Sequence, residues 1–212
     1  RGKVQFEDDW ATWGKFESTA GAFKLREAWV DFNLPGMSSG HLKGGHQLLQ
    51  LGQGWFFRSM KYGSDAWLLG FPGKNTLAFL DVKVTEMDPI YVDDIDAYVI
   101  LDVFKIDDNN TVGIDVTNIN DRGGNLFGGD SATFMNIGLN YAGKLGPVNL
   151  KAELDVQQGT AKAAAGDTDM SGNQIVLQAS LPIDALTVNA TVAMGSGDDT
   201  TTPESEEVVT LL

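Results

Sequence analysis

Polar and apolar residues alternate with a period of two along most of this chain. In Val148-Asn149-Leu150-Lys151-Ala152-Glu153-Leu154-Asp155-Val156 every even-numbered residue is apolar and every odd one polar or charged. Ile95, Ala97, Val99, Leu101 and Val103 repeat the alternation. So do Met135, Ile137, Leu139 and Tyr141, and Leu186, Val188, Ala190, Val192 and Met194. No charge falls on these apolar rows. Successive strand residues point to opposite faces, so each segment reads as a strand with one face kept dry. Weaker strands are predicted at residues 23–32, 42–51, 65–71, 75–86, 111–119 and 173–181, which makes about ten in all. Helical periodicity is convincing nowhere.

The connections sharpen this picture. Those at 33–40, 72–74, 107–110, 143–146 and 182–184 are short and rich in Pro, Gly, Asn and Asp, the residues of tight turns. Those at 54–64, 87–93, 120–131, 158–172 and from 195 onward are mostly longer and more polar. Short and long alternate strictly, as in an up-and-down meander with tight turns at one end and long loops at the other. Phe32, Phe71, Phe104 and Tyr141 close the strands before four of the short turns. Aromatics at one level form an interfacial girdle, to which Phe32, Phe71 and Tyr141 are assigned. The parity of Phe104 matches Asp102 and turns it the other way. The fold expected is all-β: an antiparallel up-and-down transmembrane β-barrel in a bacterial outer membrane, with residues 1–212 a single, incomplete barrel domain. Residues 197–212 are expected to form a long loop and the start of a further strand.

Composition narrows the functional classes. The 212 residues carry 29 acidic and 15 basic side chains, a net charge of −14. That balance disfavours nucleic acid as a partner, which needs clustered Lys and Arg. With no cysteine there is no disulfide, iron–sulfur or thiol chemistry. The apolar run from Ala97 to Phe104 is interrupted by Asp102 and falls well short of the roughly 20 residues of a membrane-spanning helix. Strands need only about 9–11. The first residues, Arg1-Gly2-Lys3-Val4, do not open an export signal, so the sequence reads as processed or as a piece of something longer.

One stretch resembles a known family. Phe23-Lys24-Leu25-Arg26-Glu27-Ala28-Trp29-Val30-Asp31-Phe32 is followed by Leu34-Pro35, by Leu42-Lys43-Gly44-Gly45-His46-Gln47 and by Leu51-Gly52-Gln53-Gly54. This is similar to proteobacterial outer-membrane porins of the alginate-export and related substrate-specific type. There a strand of the form R-x-A-x-V-D leads through a short turn into G-R-Q and a Y-G or W-G step. His46 stands where arginine is usual, so an arginine-lined track is not carried over at that position. The resemblance implies a barrel of about 16–18 strands, more than this chain supplies. Barrels of this kind also usually end on an aromatic, whereas this sequence ends on Leu212.

With the apolar rows facing lipid, the alternate positions line a lumen: Glu27, Asp31, Asp81, Lys83, Asp94, Asp96, Asp102, Asp115, Lys151, Glu153 and Asp155. Carboxylates dominate, so the field would favour cations; the same groups are also what a barrel wall uses to satisfy its own charges. Asp107-Asp108-Asn109-Asn110 and Asp167-Thr168-Asp169 lack the Gly and Glu of a calcium loop and read as solvated turns. His41 and His46, at odd spacing, fall on opposite faces and cannot share a metal. No catalytic or nucleotide-binding motif occurs, so no enzyme and no cofactor is expected. Gly54-Trp55-Phe56-Phe57-Arg58 carries three consecutive aromatics and reads either as an anchor at the outer interface or as a constriction folded inward, with anchoring the favoured reading. The partners expected are a lipid bilayer, small solutes or ions, and further copies in a homo-oligomer. Two rivals remain: a structural barrel sheathing an electron-transfer cytochrome, and a secreted soluble β-sandwich or adhesin.

Overall fold

The computed structural model describes residues 1–7, 24–37, 39–60, 63–85, 94–124, 126, 129–197, 201 and 204–211. They form eleven strands: β1 Gly2–Glu7, β2 Lys24–Asn33, β3 His41–Gln47, β4 Ser64–Phe71, β5 Asn75–Thr85, β6 Ile95–Lys105, β7 Thr111–Asp121, β8 Ser131–Leu145, β9 Val148–Lys162, β10 Thr168–Ile183 and β11 Leu186–Gly195. All lie in one sheet in sequence order, each antiparallel to the next, so the up-and-down meander is observed. β1 and β11 are the ends of the sheet. Among the described residues there is no helix long and apolar enough to cross a membrane.

β1 was not expected; six residues beginning at Gly2 are too few for their periodicity to stand out. β9 and β10 run well past their apolar stretches, leaving only residues 163–167 between them instead of the expected loop at 158–172. Their pairing continues from Gln158↔Ser171 to Ala161↔Thr168 with polar residues on one face, because ladder hydrogen bonds do not depend on that face being dry.

The tight turns use the expected chemistry. Gly36 and Gly146 take left-handed φ of 78° and 61°, and Asp184 does so at 52°. In the β6–β7 turn the Asp107 carboxylate accepts from the Asn109 backbone N–H at 2.7 Å and from the Asn110 amide, which holds its carboxyl below the usual range.

The loop after β3 crosses one face of the sheet: it packs on β4 to β6 and donates backbone N–H groups to Glu153 on β9, six strands from β3. The sheet thus has a covered face and an open one.

Candidate functional site

The covered face is apolar over β4 to β6 but buries many polar side chains over β7 to β10, where the open face exposes apolar ones. On β9 the carboxylate-bearing Glu153 and Asp155 are 3% and 1% exposed, while Leu154 and Val156 between them are 39% and 51% exposed. Gln157, Asn136, Thr117, Asp115 and Gln174 are buried on the covered face, and Ile114, Val116, Ile137, Leu139, Ile175, Leu177, Val188 and Val192 stand on the open one. Register partners align these open-face residues in apolar rows, such as Phe79–Ile100–Val116–Ile137–Val156 and Leu139–Leu154–Ile175–Met194.

At the long-loop end the apolar belt stops at one unbroken polar row. His46, Asp65, Lys83, Asp96, Asn120, Thr133, Thr160 and Asp169 are successive partners from β3 to β10. Lys83 and Arg122 pair with carboxylates at this level, and His46 faces Asp65. His46 Nδ1 lies 2.8 Å from Asp65, Lys83 Nζ 2.7 and 2.8 Å from Asp94 and Asp96, and Arg122 3.1 Å from Asp96.

The expected lumen residues divide accordingly. Glu27, Asp31, Asp115, Lys151, Glu153 and Asp155 occupy the covered face. Glu27 accepts from Lys3 at 2.5 Å and from the Trp29 indole at 2.8 Å, Asp31 meets His41 at 3.1 Å, and Lys43 stacks over the Trp29 ring. Asp81 and Asp102 do not line the interior. They share the open face with Phe79, Tyr98 and Ile100, while Ala78, Leu80, Val82, Ala97 and Val99 are buried behind them. Lys83, Asp94 and Asp96 belong to the polar rim. The orientation of β5 and β6 is thus opposite to the one expected. Both faces of these strands carry apolar residues, and alternation alone does not say which one a loop will cover. Phe104 is corrected with Asp102: at 43% exposure it stands on the open face, as do Phe32, Phe71 and Tyr141.

That covering loop is the second correction. Trp55-Phe56-Phe57 is not an outer anchor, since Phe56 and Phe57 are 1% and 4% exposed. With Leu49 and Leu51 they pack on Ala66, Ala78, Leu80, Val82, Ala97 and Val99 in one apolar cluster. The far side of the loop reaches β9, where the Glu153 carboxylate accepts from the backbone N–H of Gln53, of Trp55 at 3.2 Å and of Phe56 at 2.9 Å.

A second segment lies beside it. Residues 204–211, expected to form part of a long loop and the start of a further strand, run over the covered face: Ser205 bridges Met170, Val209 exchanges two 2.8 Å hydrogen bonds with the Gln157 side chain, and Leu211 bridges Phe57. Beneath them a network of amides holds Asp155, which accepts from Asn136 at 3.0 Å and Gln174 at 2.8 Å, while Gln157 donates to Asn136 at 3.1 Å. Buried polar groups need such partners. Gly138 lies between Asp115 and Asp155 in the register, and a Cβ there would meet the Asp115 carboxylate at 2.6 Å. Among the described residues no group of three or more His, Asp or Glu side chains is arranged to hold a metal.

Toward the tight turns of β6, β8 and β9 the covered face carries lysines. Lys105, Lys144 and Lys151 point there and are exposed. The loop could have been suspected from Leu49, Leu51, Phe56 and Phe57, an apolar set too large for a solvated connection. Nothing in the sequence marks Gln53, Trp55 and Phe56 as donors to Glu153. No protein-family model matches the chain, and no curated protein matches it either.

Proposed function

We propose that this chain forms wall of a transmembrane β-barrel in a bacterial outer membrane and serves as a porin-like channel for ions or small solutes, narrowed by the inward loop. The burial over β7 to β10 carries the reading. A β-sandwich would bury Leu154 and Val156 and give Asp155 to water; a barrel in lipid does the opposite. The dimensions agree. Met135–Leu145 on β8 rises about 33 Å along the strand, or about 25 Å along the membrane normal at a tilt near 40°. The reading requires β1 and β11 to be paired, with each other or with further strands, since lipid satisfies no edge hydrogen bonds.

The cation preference suggested by the acid surplus is revised within this proposal. Asp115, Glu153 and Asp155 are covered and, through Thr117, the loop N–H groups and the amides, already hydrogen-bonded. The charges left uncovered on β8 and β9 are Lys144 and Lys151, while Lys105 of β6 is paired with Asp108 at 2.9 Å. The two lysines, unpaired among the described residues, favour anions.

Planar-bilayer recording tests both parts. The full-length protein should give discrete conductance steps and a reversal potential on the anion side in a salt gradient, moved toward cations by K144E/K151E. No conductance after verified insertion would overturn the channel; a cation-side potential would overturn the revision alone.

A further inference from the structure

The inward loop meets the wall by two unlike contacts. On the β4–β6 side it is held by apolar packing. On the far side a single carboxylate takes three backbone N–H groups: Gln53 gives to Oε2, and Trp55 and Phe56 give to Oε1. Successive N–H groups converge on one anion when the backbone alternates in handedness, which makes an anion-binding nest. Gly52 and Gly54 supply that alternation with φ of 51° and 83°. The nest is also closed on itself: Leu51 N–H donates to Phe57 O at 3.1 Å and Gly54 N–H to Leu51 O at 2.8 Å. Its donors are therefore held together by the loop's own backbone and not by Glu153.

We propose that Glu153 is the positioning residue of the constriction, and that the 52–56 nest is a carboxylate-binding site which this side chain fills from the wall. Two consequences separate this from ordinary packing. Removal of the carboxylate frees the luminal side of the loop while the apolar side stays docked, so the channel widens without losing its wall. The emptied nest then accepts a small carboxylate from solution, because its geometry survives. A charge-assisted contact of this kind shifts the ratio of docked to released loop by roughly ten- to a hundred-fold. The widening rests on the channel reading above; the binding of a carboxylate does not.

The test uses hydrogen–deuterium exchange of the loop amides and single-channel conductance on the same full-length protein, for wild type, E153A and E153Q. In E153A the amides of Gln53, Trp55 and Phe56 should lose protection and conductance should rise. Formate, but not chloride at equal ionic strength, should restore both. E153Q keeps the volume and one acceptor, so it guards against a folding defect and should fall between. Unchanged protection in E153A and E153Q would overturn the positioning role. Lost protection that formate does not restore would overturn the nest as a site. Restored protection with no conductance in any variant would leave the nest standing and remove the channel.

Discussion

Replacing Leu139 by arginine separates a lipid-facing wall from a water-facing one. Leu139 is 49% exposed on the open face of β8 and sits in the apolar row with Leu154, Ile175 and Met194. It lies close to the middle of the Met135–Leu145 stretch, hence near the centre of a band about 25 Å tall. If that face meets acyl chains, an arginine at this depth costs about 2–4 kcal/mol, and the cost falls to about 0–1 near the band's edges. If the face meets water, a charged residue there changes stability by no more than about 0.5 kcal/mol, as at other surface positions. The gap amounts to a factor of at least roughly ten in the unfolding equilibrium. The assay is reversible urea unfolding in phosphatidylcholine vesicles, followed by tryptophan fluorescence, for Thr133→Arg, Ile137→Arg, Leu139→Arg and Leu145→Arg. The expected profile peaks at Ile137 and Leu139 and declines toward both ends. A flat profile below about 0.5 kcal/mol would refute the lipid-facing reading of the whole open face.

Two further outcomes follow from the wall and its interior. Gly45→Ala should destabilise the protein by more than about 1 kcal/mol, since φ is 124° there and the new Cβ would stand 2.3 Å from the Ala28 carbonyl; an unchanged urea midpoint would contradict it. Gln157→Leu removes both hydrogen bonds to Val209 and one to Asn136, at a cost of about 1–3 kcal/mol. A glutamate-specific protease should then cut the 204–211 segment faster than in wild type, and equal rates would show that Gln157 does not hold it.

The strands were readable wherever one face is uniformly apolar. The stretches 148–156 and 186–194 declare both their period and their dry side, and the turn residues at 72–74 and 146 fix the meander. Readability ended where a non-local contact decides the outcome. On β5, Leu77 and Phe79 compete with Ala78, Leu80 and Val82, and only the arrival of Leu51, Phe56 and Phe57 from another part of the chain selects the buried set. The acidic residues of β9 were legible as inward-facing. Their partners were not, because Glu153 is served by main-chain groups, which leave no trace in the sequence. The polar ends of β9 and β10 read as loop in the sequence because hydropathy reports the surroundings of a strand and not its pairing.

The loop's grip on Glu153 also sets an order of events. Every strand pairing among the described residues joins neighbours in sequence, so hairpins can form and add one after another at little loop-closure cost. The contacts from Gln53, Trp55 and Phe56 to Glu153 instead cross 97 to 100 residues. Until β9 has joined the sheet this part of the loop has no acceptor, whereas Leu49, Leu51, Phe56 and Phe57 find their apolar partners already on β4 to β6. The apolar side of the loop is therefore expected to dock on the early wall, and the polar side to close only once β9 has been added.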